Sequence, residues 1–124
     1  MALHRFRIFT LEQANRLLPL IEELTQHTRE RLDALRAAPA EPQQEPGTVE
    51  RQTRIILEQW ARMILELGAQ PKGIFTVDFR SPDPNVLWCW APDESKVSHR
   101  HFTWESFKDR VPIEQDGAAW PSWN

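Results

Sequence analysis

The stretch VSHRHFTW, Val97 to Trp104, sets His99 and His101 two residues apart in an alternating run. On a β-strand, residues i and i+2 share a face, and neutral imidazole is a common metal ligand. The chemistry to test for is therefore metal binding. Asp78, in GIFTVDF, would complete a set of two histidines and one carboxylate, the donors of non-haem iron sites. The competing reading is a pair of imidazoles buried or half-buried under a helix, hydrogen-bonded to it and stacked on Trp88. A metal site also needs a third donor and groups that orient the ligands. The decision depends on which elements carry these residues and in what register.

A helix opens at Thr10, where TLEQ is a capping box with Gln13 at N3. Leu11, Ala14, Leu18, Ile21, Thr25, Thr28, Leu32 and Leu35 then recur at steps of three and four, to about Arg36. Pro19 lies inside this stripe. Because the stripe keeps its phase across it, a kink is expected rather than a break. Residues 38–47, APAEPQQEPG, offer nothing large to bury and predict a mobile linker. A second stripe follows at Val49, Thr53, Ile56, Trp60, Met63 and Leu67, stopped by Gly68.

After Gly68 the period changes to two. Strands are predicted at 73–79, 86–90 and 97–102, separated by the turn sequences SPDPN and APDESK. WESFKDR predicts a short helix ending before Pro112, and RFRIF near the N-terminus a short extra strand. Counting the shortest turns pairs Phe79 with Val86, Val77 with Trp88 and Phe75 with Trp90. It then pairs Trp90 with Val97, Trp88 with His99 and Val86 with His101. This register places both histidines on the apolar face, beneath the helices, and Asp78 on the opposite face, because one residue of slip exchanges the faces. His101 is then expected to bond to the first helix, with Asn15 as the partner. Glu12, Glu22, Glu23 and Glu105 are the remaining carboxylates that could approach the histidines.

Other chemistry is sparse. Cys89, the single cysteine, alternates away from Trp88 and Trp90 and reads as a small packing residue. It can form no internal disulfide, which fits a reducing cytoplasm. No glycine-rich phosphate loop or nucleophile elbow is present, so no catalytic residue is assigned and no cofactor is expected. The net charge of −3 and pI near 5.8 argue against nucleic acid as a partner. No apolar run reaches the roughly 18 residues of a membrane span, and the first residues lack a secretory pattern. Trp120 and Trp123 stand in a polar tail and are candidates for a contact surface.

RIFTLEQANRLLPLIEEL (7–24) resembles the opening of a prokaryotic family known as domain of unknown function 2203, which begins Phe-Thr-x-Glu-x-Ala-Asn-x-Leu-Leu-Pro. VDF (77–79), CW (89–90) and RHFTWESFKDRVPI (100–113) are similar to its later segments, with His101, Phe107, Arg110 and Pro112 at matching positions. The chain departs from the pattern in having Phe102 where the family has Glu, and Ser106 where it has Gly. The resemblance implies a bacterial origin and brings no established activity.

The expectations are these. Residues 1–113 form a single α+β domain, a long antiparallel helical hairpin packed on a three-stranded antiparallel β-meander with a short C-terminal helix. Residues 114–124 form a tail. The function is a non-enzymatic protein-interaction or regulatory module of the cytoplasm, with a protein partner and self-association both left open. The rival is a metal-binding protein or metal-assisted enzyme centred on His99 and His101. Asp78, Asn15 and Arg110 form the candidate polar cluster.

Overall fold

The computed structural model describes residues 6–39 and 42–113. Trp120 and Trp123, the tail and part of the 38–47 linker lie outside the described residues. Helix α1 spans Leu11–Ala37 and α2 spans Thr48–Glu66. The capping box forms: Thr10 Oγ1 accepts the Gln13 N–H at 3.1 Å, and Gln13 Oε1 accepts the Thr10 N–H at 2.9 Å. The helix runs through Pro19 without interruption. It buries Ala14, Leu18, Ile21, Thr25, Thr28 and Leu32, the predicted stripe. On α2 the buried residues are Ile56, Trp60 and Ile64, so Ile64 rather than Met63 continues the stripe. The helices are joined by a buried polar contact, in which Trp60 Nε1 donates to Thr25 Oγ1 at 3.0 Å. A buried indole N–H needs such an acceptor. Among the described residues, no helix is long and apolar enough to cross a membrane.

The sheet has five strands rather than three: β1 (Gln70–Lys72), β2 (Thr76–Arg80), β3 (Val86–Trp90), β4 (His99–Phe102) and β5 (Val111–Pro112), in sequential antiparallel order. The added strands are short edges. The predicted C-terminal helix is a single 3₁₀ turn at Phe107–Asp109. Ser106 and Asp109 cap that turn reciprocally, and Arg110 is already extended, which ends the turn. The first strand is shorter than predicted because Phe75 has φ +66°, outside any strand. Its ring is buried edge-on to Trp60 at 5.3 Å, which holds this unfavourable backbone in place. The N-terminal RFRIF contributes one parallel bridge, Ile8 to Arg80.

Val77, Phe79, Trp88 and Trp90 pack with Leu18, Ile21, Ile56 and Trp60 in the core between sheet and helices. Both predicted registers are corrected. Across β2 and β3, Phe79 pairs with Trp88 and Val77 with Trp90, a slip of two residues. An even slip leaves the faces unchanged. It arises because the turn is longer than the minimum, with Asp83 Oδ1 accepting the Asn85 N–H at 2.8 Å and Ser81 Oγ accepting the Asp83 N–H at 3.1 Å.

Across β3 and β4 the slip is one residue: Trp88 pairs with Arg100 and Cys89 with His99. An odd slip exchanges the faces. The cause is α1. Asn15 Oδ1 accepts the Val97 N–H at 2.8 Å, and Asn15 Nδ2 donates to the Val97 carbonyl at 3.1 Å. Val97 enters the core from the loop, its backbone held by the helix instead of the ladder, and regular pairing begins only at His99. The histidines therefore face away from the helices.

Candidate metal centre

The corrected register lines up Asp78, Cys89 and His99 across the middle strands, since Asp78 pairs with Cys89 and Cys89 with His99. His101 stands two pairs further along β4, opposite Leu87. Its ring reaches back over β3, placing Nε2 2.9 Å from Asp78 Oδ2. The other ring nitrogen, Nδ1, is 2.8 Å from the Phe102 carbonyl. A carbonyl oxygen only accepts, so Nδ1 carries a proton and Nε2 is the nitrogen turned towards the carboxylate. Two bare acceptors would repel at 2.9 Å. The contact therefore holds a proton, on the ring or on the carboxyl, at a place that a cation could also occupy.

One oxygen of Asp78, one nitrogen of His101 and Cys89 Sγ all lie within 4.8 Å of one another. Asp78 and Cys89 are 0% exposed and His101 3%. Asp78 Oδ1 is buried with no hydrogen-bond partner among the described residues. Burial raises the Asp78 pKa above the usual carboxylate range, against the opposing pull of His101. Burial, followed by the negative charge of Asp78, pushes the Cys89 thiol up to about 12.

The cluster is covered by the C-terminal segment. Phe107 meets the His101 ring edge-on at 6.2 Å, and the Arg110 guanidinium lies 4.7 Å from the Phe107 ring. Arg110 Nη1 donates to Glu94 Oε1 at 2.8 Å, and the same carboxylate accepts the Ala91 N–H at 2.8 Å. Glu94 Oε2 lies 3.2 Å from His99 Nδ1. The turn of APDESK thus presents a fixed carboxylate to both Arg110 and His99.

Of the predicted site residues, His99 and His101 share a face as expected, but it is the outer one, and neither stacks on Trp88. Asp78 is paired with His101, contrary to the expectation that it would point away. Asn15 is on the helix side with Val97 and takes no part, and it is not the partner of His101. Arg110 belongs to the cover of the cluster. Glu12 pairs with Arg16 on α1, and Glu105 accepts the Phe102 N–H at 2.7 Å. Cys89 and Glu94 join the site without having been among the expected site residues. The signal for Cys89 was its alternation onto the same face as Asp78; nothing in the sequence around Glu94 distinguished it from a turn residue.

No curated protein and no solved structure matches the chain. The family model described as an uncharacterized conserved protein, DUF2203, matches residues 7–113, which carry the helices, the sheet and the whole cluster, and the chain belongs to that family.

Proposed function

We propose that this chain is a non-enzymatic metal-binding module that holds one divalent ion, with zinc the best fit, between Asp78, Cys89 and His101. The observation that carries the reading is the convergence of an oxygen, a sulfur and a nitrogen donor within 4.8 Å, at one buried point. A carboxylate, a thiolate and an imidazole together suit zinc better than the hard cations, which prefer oxygen alone. Two further features support it. His101 Nδ1 is tied to a backbone carbonyl, the anchoring that fixes a ligating histidine. Asp78 Oδ1 is buried without a hydrogen-bond partner among the described residues.

Donors around a tetrahedral ion with bonds of about 2.0–2.3 Å sit roughly 3.3–3.6 Å apart, so the Asp78–His101 contact need open by only a few tenths of an ångström. The charges balance. Loading expels the thiol proton and the shared Asp78–His101 proton, and the ion meets two anionic ligands. A catalytic ion keeps a position that water and substrate can reach, whereas these donors are sealed under Phe107 and Arg110. That favours an ion that fixes β2, β3 and β4 together, and whose occupancy regulates the module.

The test is metal uptake by the purified, chelator-treated protein. Zinc, or cobalt(II) as its coloured substitute, should bind at one ion per chain. The cobalt form should show a thiolate-to-metal charge-transfer band that Cys89→Ser removes. Folded wild-type protein that takes up neither ion would leave Asp78 and His101 as a structural pair only.

A further inference from the structure

The three donors leave a four-coordinate ion one ligand short, and the same face of the sheet carries the missing one. We propose that His99 is the fourth ligand, through Nε2, and that Glu94 is the residue that orients it. The proposal rests on the reading of Asp78, Cys89 and His101 as ligands. It turns that open set into a closed tetrahedron.

The row across the strands is the first argument. Asp78 and His99 flank Cys89 directly, one strand to either side. Neighbouring strands lie about 4.8 Å apart, a spacing that an imidazole spans, so a point above Cys89 Sγ is within reach of both flanking side chains. His101 reaches that point from two pairs further along β4, as its contact with Asp78 shows. With the His99 ring turned onto that point, four donors surround it: sulfur from below, Asp78 and His99 from either side, and His101 from the diagonal.

The second argument is the state of the ring nitrogens. His99 Nδ1 faces Glu94 Oε2 at 3.2 Å, and His101 Nδ1 faces the Phe102 carbonyl at 2.8 Å. The Ser98 hydroxyl also lies 3.2 Å from His99 Nδ1 and can accept there as Glu94 does; with Nδ1 protonated in both rings, Nε2 is left to ligate. A carboxylate behind a ligating histidine is the usual outer partner of a zinc site. Glu94 is itself fixed, by Arg110 and by the Ala91 N–H. His99 is not among the three donors that already converge. Its ring is partly exposed at the edge of the cluster and has to turn about the Glu94 contact to bring Nε2 onto the ion. The full set has two anionic and two neutral ligands, so a divalent ion is neutralised. The Arg110–Glu94 pair beside it is neutral too.

The experiment uses the full chain loaded with cobalt(II), whose visible d–d bands are intense when four-coordinate and weak when five- or six-coordinate. Wild type should give intense bands that added imidazole does not change. His99→Gln should still bind cobalt and keep the thiolate charge-transfer band. Its d–d bands should weaken, added imidazole should shift them, and affinity should fall about 10–100-fold, with Glu94→Gln showing a similar loss of affinity. A nitrogen-detected NMR spectrum of the zinc-loaded wild type gives a second reading without any substitution: two rings, each with a metal-shifted Nε2. If His99→Gln matches wild type in bands, imidazole response and affinity, or if one ring alone carries the metal shift, His99 is not a ligand. Wild type with no charge-transfer band removes the three-donor reading itself, and this proposal with it.

Discussion

Asp78 illustrates how much one position can hold. It is a carboxyl with no exposed surface, one oxygen on His101 and the other without a hydrogen bond. Removing one member of such a pair leaves the other buried and uncompensated. In chelator-treated protein, Asp78→Ala should therefore lower stability by about 3–5 kcal/mol, read from the urea midpoint. A cost below about 1 kcal/mol would mean that His101 finds a new partner. Asp109 behaves in the opposite sense. It is fully exposed, and the Ser106 N–H and hydroxyl hold its pKa below the usual value. A carboxyl with a lowered folded-state pKa stabilises above its unfolded value, near 3.9, and loses that contribution as pH falls through the folded one. The Ser106 amide resonance should follow this titration on the acid side of about 3.9, and Asp109→Asn should abolish the pH dependence. An amide that titrates at or above the ordinary aspartate value would contradict the capping assignment.

At the scale of elements, a side chain on α1 sets the register of β4. Asn15 satisfies both backbone groups of Val97, so Asn15→Ala leaves a part-buried N–H and carbonyl to be rescued by water or left unpaired. The expected loss is about 2 kcal/mol, with faster amide exchange at Val97 than at Trp88. Unchanged exchange at Val97 would show that the ladder, not the helix, holds it. This contact also marks where sequence reading stopped. The helix stripes, the cap at Thr10 and the alternation of β2 and β3 are local patterns and were legible. The two-residue error after Phe79 was harmless because faces repeat every second residue. The one-residue error before His99 came from a tie to a residue 82 positions away. Turn counting cannot see such a tie, and it hid the meeting of Asp78, Cys89 and His101. The short 3₁₀ turn and β5 escaped for a related reason: two-residue edge pairing leaves no periodicity to read.

At the scale of the whole molecule, the strand pairings among the described residues divide into two kinds. Four join neighbours in sequence, and one, Ile8 to Arg80, joins the N-terminal segment to the middle of the chain. That segment is fastened at several points. The Arg7 N–H donates to the Gly68 carbonyl at 3.0 Å, the Phe9 N–H to the Arg80 carbonyl at 2.7 Å, and Trp88 Nε1 to the Phe9 carbonyl at 2.9 Å. Gly68 has φ +90°, and a Cβ there would lie 2.5 Å from the Arg7 side chain, so the close approach requires glycine. Neighbouring strands close short loops and can form early, whereas a contact with both helices between its partners in sequence closes a long loop and forms late. The N-terminal segment should then be the last piece to dock and the first to leave. Phe9→Ala, which removes a ring packed edge-on to Phe79 at 5.3 Å, should cost about 3–5 kcal/mol. Most of that cost should appear in the unfolding arm of the chevron, with refolding nearly unchanged. A slowed refolding arm would instead place Phe9 in the nucleus. The parallel bridge at Ile8 is in this sense a clasp: it adds little to how fast the fold is reached and governs how long it lasts.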